Sequence, residues 1–150
     1  MCLHRPKEEI TMIKIIAGKK GKGKTKHLLD MVNTEVKNVH GNIVYLDKSG
    51  KHMYELNNKV RLIDMSEYDL KDTSEFIGFI YGIISQDNDL EQIYLDSFLK
   101  ISNLEGCDVT DALAELDTIG EKYHLTFVLS VSMDEEELPE YAKTKVVISL

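Results

Sequence analysis

The chain of 150 residues contains no tryptophan, two prolines, two cysteines and two arginines. Cys2 and Cys107 are too few for a disulfide framework and stand in no metal-ligand spacing with the five histidines, so both read as reduced thiols without a special task. No apolar run approaches the roughly 18 residues that cross a bilayer, and the lead segment MCLHRPKEEIT lacks the apolar centre of a signal peptide. These absences predict a cytoplasmic protein with no membrane partner. Internal repeats, Gly/Ser linkers and low-complexity tracts are missing too, which leaves one domain over residues 12–150. What is present is ordinary globular material, 43% hydrophobic and 29% charged, enough to exclude a disordered chain.

Charge of one sign is scarce in most of the chain and concentrated in a small part of it. Residues 1–50 carry ten Lys and Arg against five Asp and Glu, a net of +5, whereas residues 51–150 carry eight against 21, a net of -13. This argues against nucleic acid as a main ligand, because phosphate-backbone binding needs broad positive potential. Five of the lysines fall in the ten residues AGKKGKGKTK, 17–26, together with three glycines. A positive charge so local needs a local anionic target.

The hydrophobic pattern alternates between two periods. Apolar strands are expected at 12–18 (MIKIIAG), 42–47 (NIVYLD), 92–98 (QIYLDSF) and 126–132 (TFVLSVS), with weaker ones at 59–65 and 145–150. Helices are expected at 26–39, stopping at His40-Gly41; after Asp72, whose pairing with Glu75 forms a capping-box start; and after Asp108, where Val109, Ala112, Leu113, Leu116, Ile119 and Tyr123 trace one face. Gly78 and Gly82 in the second helix suggest close packing on the sheet, and the acidic run Asp134 to Glu137 a solvated loop. Strand–helix alternation with strands apolar on both sides predicts an α/β fold, a mostly parallel sheet of about five strands covered by helices on both faces.

Gly18 to Thr25 reads G-K-K-G-K-G-K-T, a full match to G-x-x-x-x-G-K-[ST], and it lies between a strand and a helix as that motif requires. Glycines let successive N–H groups turn towards one centre, and the helix that follows adds its positive end, so Gly18, Gly21 and Gly23 predict a phosphate cradle. Lys24 then reaches the terminal phosphates and Thr25 offers its hydroxyl to Mg²⁺. Lys19, Lys20, Lys22 and Lys26 ring the triphosphate and raise the local anion concentration. Such a cradle also calls for an acid that holds the magnesium through water, at the end of a buried strand next to the first. Asp47 and Asp96 both close apolar strands, and Asp96 closes the more central one. A strand-end acid that merely bonds a neighbouring loop is an equal reading for Asp47.

The segments GKKGKGKTKHLLDMV, NIVYLDKSGKHMYEL, EQIYLDSFLKI and TFVLSVS stand in the order and approximate spacing of the RecA-like branch of P-loop NTPases, which the chain resembles from Met12 to Leu150. The chain is also similar, more thinly, to the core of the twitching-motility pilus-retraction ATPase. The resemblance implies a three-layer sandwich, ATP or GTP with Mg²⁺ as cofactors, Thr25 and Asp96 at the metal, and Ser130 or Ser132 as the polar position sensing the terminal phosphate. It also implies a catalytic set of Lys24, Asp47 and Asp96. Where the RecA-like proteins place a water-orienting glutamate this chain has Ser49, and Asp96 is followed by Ser97; Asp47 is the remaining acid for that role. Lys19 occupies the place of the extra lysine of the partition-type branch, which reaches a partner's nucleotide across a dimer, although Lys20 replaces that branch's first glycine. Only Arg5 and Arg61 are available as arginine fingers.

The expected function is thus a slow Mg-dependent ATPase, with assembly into a homo-oligomer or onto a protein partner supplying any missing charge. The alternative is a triphosphate-dependent switch or scaffold without turnover, and the third is a small P-loop kinase, for which no arginine-rich lid follows the helix at 108–123. Lys7-Glu8-Glu9 can be encoded by purine codons that resemble a ribosome-binding sequence ahead of Met12, so residues 1–11 are expected to be translated leader.

Overall fold

In the computed structural model, residues 12–150 are described; the leader expected at 1–11 lies outside them. The strands are β1 (Ile13–Ala17), β2 (Asn42–Asp47), β3 (Val60–Asp64), β4 (Leu90–Leu95), β5 (Thr126–Val131) and β6 (Val146–Ser149). They form one six-stranded sheet in the order β3-β2-β4-β5-β1-β6, and every pairing is parallel. All six segments expected to be extended are strands, the weaker ones at 59–65 and 145–150 included, so the sheet has one strand more than the expected count of about five. β1, β2, β4 and β5 are buried along most of their length, while β3 and β6 alternate or fade in burial because they are the two edges.

Side-chain alternation along the strands divides the core in two. Ile13, Ile15 and Ala17 of β1, with Val44, Leu46, Ile93 and Leu95, face α2 (Thr73–Ser85), the short α3 (Phe98–Ile101), α4 (Thr110–Tyr123) and the short α5 (Glu140–Lys143), numbered after the first helix, α1 (Lys24–Glu35). Ile16, Ile43, Tyr45, Tyr94 and Val128 face the opposite way, onto α1. α1 buries Leu28, Leu29 and Val32 there, each worth about 1.5–3 kcal/mol relative to exposure. Helices therefore pack on both faces, as several on one side and a single one on the other. Among the described residues, no helix is long and apolar enough to cross a membrane.

Four local expectations change. The first helix runs over Lys24–Glu35 and not 26–39, with Val36 and Val39 packing on the same cluster from the turn that follows it. Gly41 serves a close approach instead of a helix stop: a Cβ there would lie 2.0 Å from the Asp89 carbonyl oxygen, where the chain enters β2 beside the entry to β4. Gly78 and Gly82 do not pack on the sheet. Both are exposed, and an added Cβ at either meets nothing within 4 Å, because Phe76, Ile77, Ile80, Ile83 and Ile84 occupy the inward face of α2. Asp72 does cap α2 by accepting from the Glu75 N–H, while the Glu75 carboxylate reaches the backbone N–H of Lys71, one residue further back than the expected box.

Candidate functional site

Because all six strands are parallel, their C-terminal ends share one edge of the sheet, and the loops that leave them meet there. β1 leads through Gly18–Gly23 into α1. Gly21 (φ 83°) and Gly23 (φ 86°) are left-handed, a conformation that costs an L side chain about 1–2 kcal/mol and glycine almost nothing. Gly23 stands at the N-terminus of α1, so the N-cap has no side chain to cap the helix, and the first turn holds no acid. The free N–H groups and the positive end of the dipole are thus left facing the loop.

Lys24 is almost wholly buried, and its ammonium donates to the carbonyl oxygen of Lys19 at 3.0 Å, closing the loop on itself. Burial pushes its pKa down; the Asp96 carboxylate opposes this and the neighbouring Lys20 adds to it. Asp96, directly after β4, is also buried and is held by three hydroxyls. Ser130 donates to Oδ1 at 2.7 Å, Thr25 to the same oxygen at 3.3 Å, and Tyr45 to Oδ2 at 2.8 Å. Burial, with Asp96 beside it, drives the Tyr45 hydroxyl far above its ordinary pKa, so it remains a donor. Ser97 takes a left-handed φ of 56°, and its backbone N–H donates to the Ser130 hydroxyl at 2.8 Å. A serine held in that region is strained, and such strain persists where surrounding bonds over-determine it.

These groups wall a cleft of about 510 Å³. The loop contributes Lys20, Gly21, Gly23, Lys24 and Thr25; the strand ends contribute Asp96, Ser130 and Ser132. Gly18, Lys19, Lys22, Lys26 and Asp47 are not among its lining residues. Gly18 lies against Leu150, and the Lys19 ammonium is 3.4 Å from Asp134 of the acidic run. That run forms a short turn, Glu135–Glu137, with Glu136 and Glu137 exposed and Asp134 and Glu135 half-buried. Lys26 lines a separate groove with His52 and Glu55. Lys48 and Lys100, which the motif does not signal, line the cleft in addition.

The strand order corrects one expectation and explains it. The strand bearing Asp96 is not next to β1, since β5 lies between them; that intervening strand supplies the Ser130 hydroxyl that ties Asp96 in place. Asp47 ends β2, on the far side of β4. It is 2% exposed; Oδ1 accepts from the Lys48 N–H at 2.7 Å, and Oδ2 has no hydrogen-bond partner among the described residues. Burial, and then the charge of Asp96, raise its pKa, against the pull of that N–H and of His52 and Lys48.

Tyr45 is the site residue that sequence reasoning passed over, as one apolar member of IVYLD. The available signal was its hydroxyl, since a buried tyrosine needs a polar partner. For a hard cation, the Thr25 hydroxyl and the Asp96 carboxylate are oxygen donors of the right kind at one wall of the cleft, and their closeness fits a Mg²⁺ that keeps several waters. Among the described residues, no group of three or more His, Cys, Asp and Glu could hold a metal by itself. Comparison with protein-family models and with curated proteins finds no match to this chain.

Proposed function

We propose that the chain is a P-loop protein with a RecA-like three-layer core, which binds a nucleoside triphosphate, ATP or GTP, together with Mg²⁺ in the cleft at the end of β1. The observation that carries this reading is the joining of two halves that lie 71 residues apart in sequence: Thr25, directly after the glycine loop, and Asp96, with their oxygens 3.3 Å apart. A loop that merely turns a corner needs no buried acid opposite its helix. A loop that cradles phosphate and its metal does.

On this reading the loop N–H groups and Lys24 hold the phosphates, with Lys24 leaving the Lys19 carbonyl for a phosphate oxygen. Thr25 and Asp96 hold the metal, and Ser130 fixes Asp96. The magnesium, when bound, offsets charge on the phosphates. Lys20, Lys48 and Lys100 add positive charge around the cleft. Hydrolysis is slow, because Ser49 stands where a water-orienting glutamate is expected and Asp47 is not a cleft wall. That same position of Asp47 favours the second reading, a triphosphate-ordered switch without turnover.

Titration with a fluorescent ATP analogue tests the site. Lys24→Ala should weaken binding by roughly one to two decades, the value of a charge-assisted contact of about 1.5–3 kcal/mol, while leaving the melting temperature close to that of the wild type. Equal affinity in wild type and variant counts against the site.

A further inference from the structure

Asp96 has two carboxylate oxygens, and the structure treats them differently. Oδ1 is shared by Ser130 at 2.7 Å and Thr25 at 3.3 Å, and Thr25 is also the residue that the metal would claim. Oδ2 has a single donor among the described residues, the Tyr45 hydroxyl at 2.8 Å. Tyr45 reaches it from β2, the strand on the opposite side of β4 from Ser130. The carboxylate is therefore pinned from both neighbouring strands, with β5 on one side and β2 on the other.

Tyr45 is itself held rigidly. Its ring is fully buried in the cluster under α1, and it stacks on Tyr94, its register partner on β4, at 6.1 Å between centroids and 11° between planes. Tyr94 in turn donates to Gln92, and Gln92 donates to Glu35 at the end of α1. The phenol oxygen lies on the χ2 axis, so a ring clamped in one χ1 rotamer fixes the position of that oxygen.

We propose that Tyr45 is the positioning residue of the cation site: its hydroxyl locks the rotation of Asp96 so that Oδ1 stays directed at the metal when Thr25 turns away to the ion. This inference rests on the nucleotide–magnesium reading of the cleft. Tyr45 touches neither nucleotide nor metal and acts only through Asp96. Without its hydroxyl, Oδ2 becomes a buried acceptor with no donor, and the carboxylate can turn to seek one.

The test measures the Mg²⁺ concentration at which a fluorescent ATP analogue reaches half of its magnesium-dependent binding, with a thermal melt of each variant as the folding check. Tyr45→Phe keeps the ring and its stacking and should raise that concentration roughly tenfold, with metal-free nucleotide binding unchanged. Tyr94→Phe loses the hydroxyl of a neighbouring buried ring, one that does not touch Asp96, and should leave the requirement within twofold of wild type. In an Asp96→Asn background, Tyr45→Phe should have no further effect. A 4-aminophenylalanine at position 45 keeps a donor at the same place and should restore much of the magnesium response, and it serves as the second variant if Tyr45→Phe folds poorly. An unchanged magnesium requirement in Tyr45→Phe overturns the proposal. So does an equal loss of metal-free and metal-dependent binding, which makes Tyr45 a packing residue only. A wild type that binds no nucleotide at all fails before any variant is compared, and sinks the reading of the cleft along with this one.

Discussion

The ends of β2 and β4 lie side by side in the sheet, and each carries an aspartate that is 2% exposed, yet the two carboxylates are treated in opposite ways. Asp96 is met by hydroxyls from α1, β2 and β5. Asp47 has one backbone donor, an orphaned oxygen and a pKa raised by burial and by Asp96 itself. Equal burial therefore carries no information about role. What separates the two is the supply of donors: among the described residues three side chains hold Asp96 still, and none donates to Asp47. A carboxylate held that firmly suits a fixed cation, whereas an uncompensated one is a cost to folding unless a ligand or a proton relieves it.

The largest expected effect concerns what neither acid supplies. If Asp47 cannot orient water from its buried position and no arginine offsets charge on the transferring phosphate, the isolated protein hydrolyses ATP well below the median enzyme turnover of about 10 per second. A positive group brought in by self-assembly, through Lys19 or Arg61, or by a partner should then raise the rate by ~10³ to 10⁵. Phosphate release measured across a range of protein concentrations decides it. A high, flat specific activity down to proven monomer concentrations breaks the contrast, since Asp47 would then suffice.

Asp96→Asn is the next largest. It should reduce magnesium-dependent nucleotide binding by about 10- to 100-fold, the loss of a charge-assisted contact, and leave metal-free binding nearly unchanged. Loss of both together in the same titration would make Asp96 a structural acid and erase its difference from Asp47.

The smallest effect sharpens the comparison from the other side. Asp47→Asn keeps an acceptor for the Lys48 N–H and removes a buried charge, so it should stabilise the metal-free protein by about 1 kcal/mol, or ~3 °C in melting temperature. A carboxyl whose folded pKa lies above its unfolded value of about 3.9 holds its proton more tightly when folded. Its contribution to stability is thus complete below that value and is lost as pH rises through the folded pKa. The advantage of the variant should be absent in acid, open as pH climbs above about 4, and then level off. A melting series showing the opposite slope, or a variant less stable than wild type at neutral pH, would mean that the orphaned oxygen has a partner in solution.

Sequence determined a good deal by itself. The glycine loop, its lysine and threonine, and its placement between strand and helix follow from local pattern, because backbone freedom at Gly21 and Gly23 and the period of the flanking residues are properties of short segments. The α/β class and the burial of β1, β2, β4 and β5 were likewise written in continuous apolar runs. Strand order was not, since a parallel pair leaves no mark in either strand of which neighbour it will take. Only the tertiary structure put β5 between β1 and β4, turned Gly78 and Gly82 outward, and tied Lys19 to Asp134. Strand order also made the two acids unequal. Asp96, on β4, has β5 on one side with Ser130 and β2 on the other with Tyr45, while β2 places Asp47 between β4 and the edge strand β3, from which no hydroxyl reaches it. A side chain's donors come from whichever strands lie beside it, and those neighbours are fixed by long-range pairing that no local pattern records.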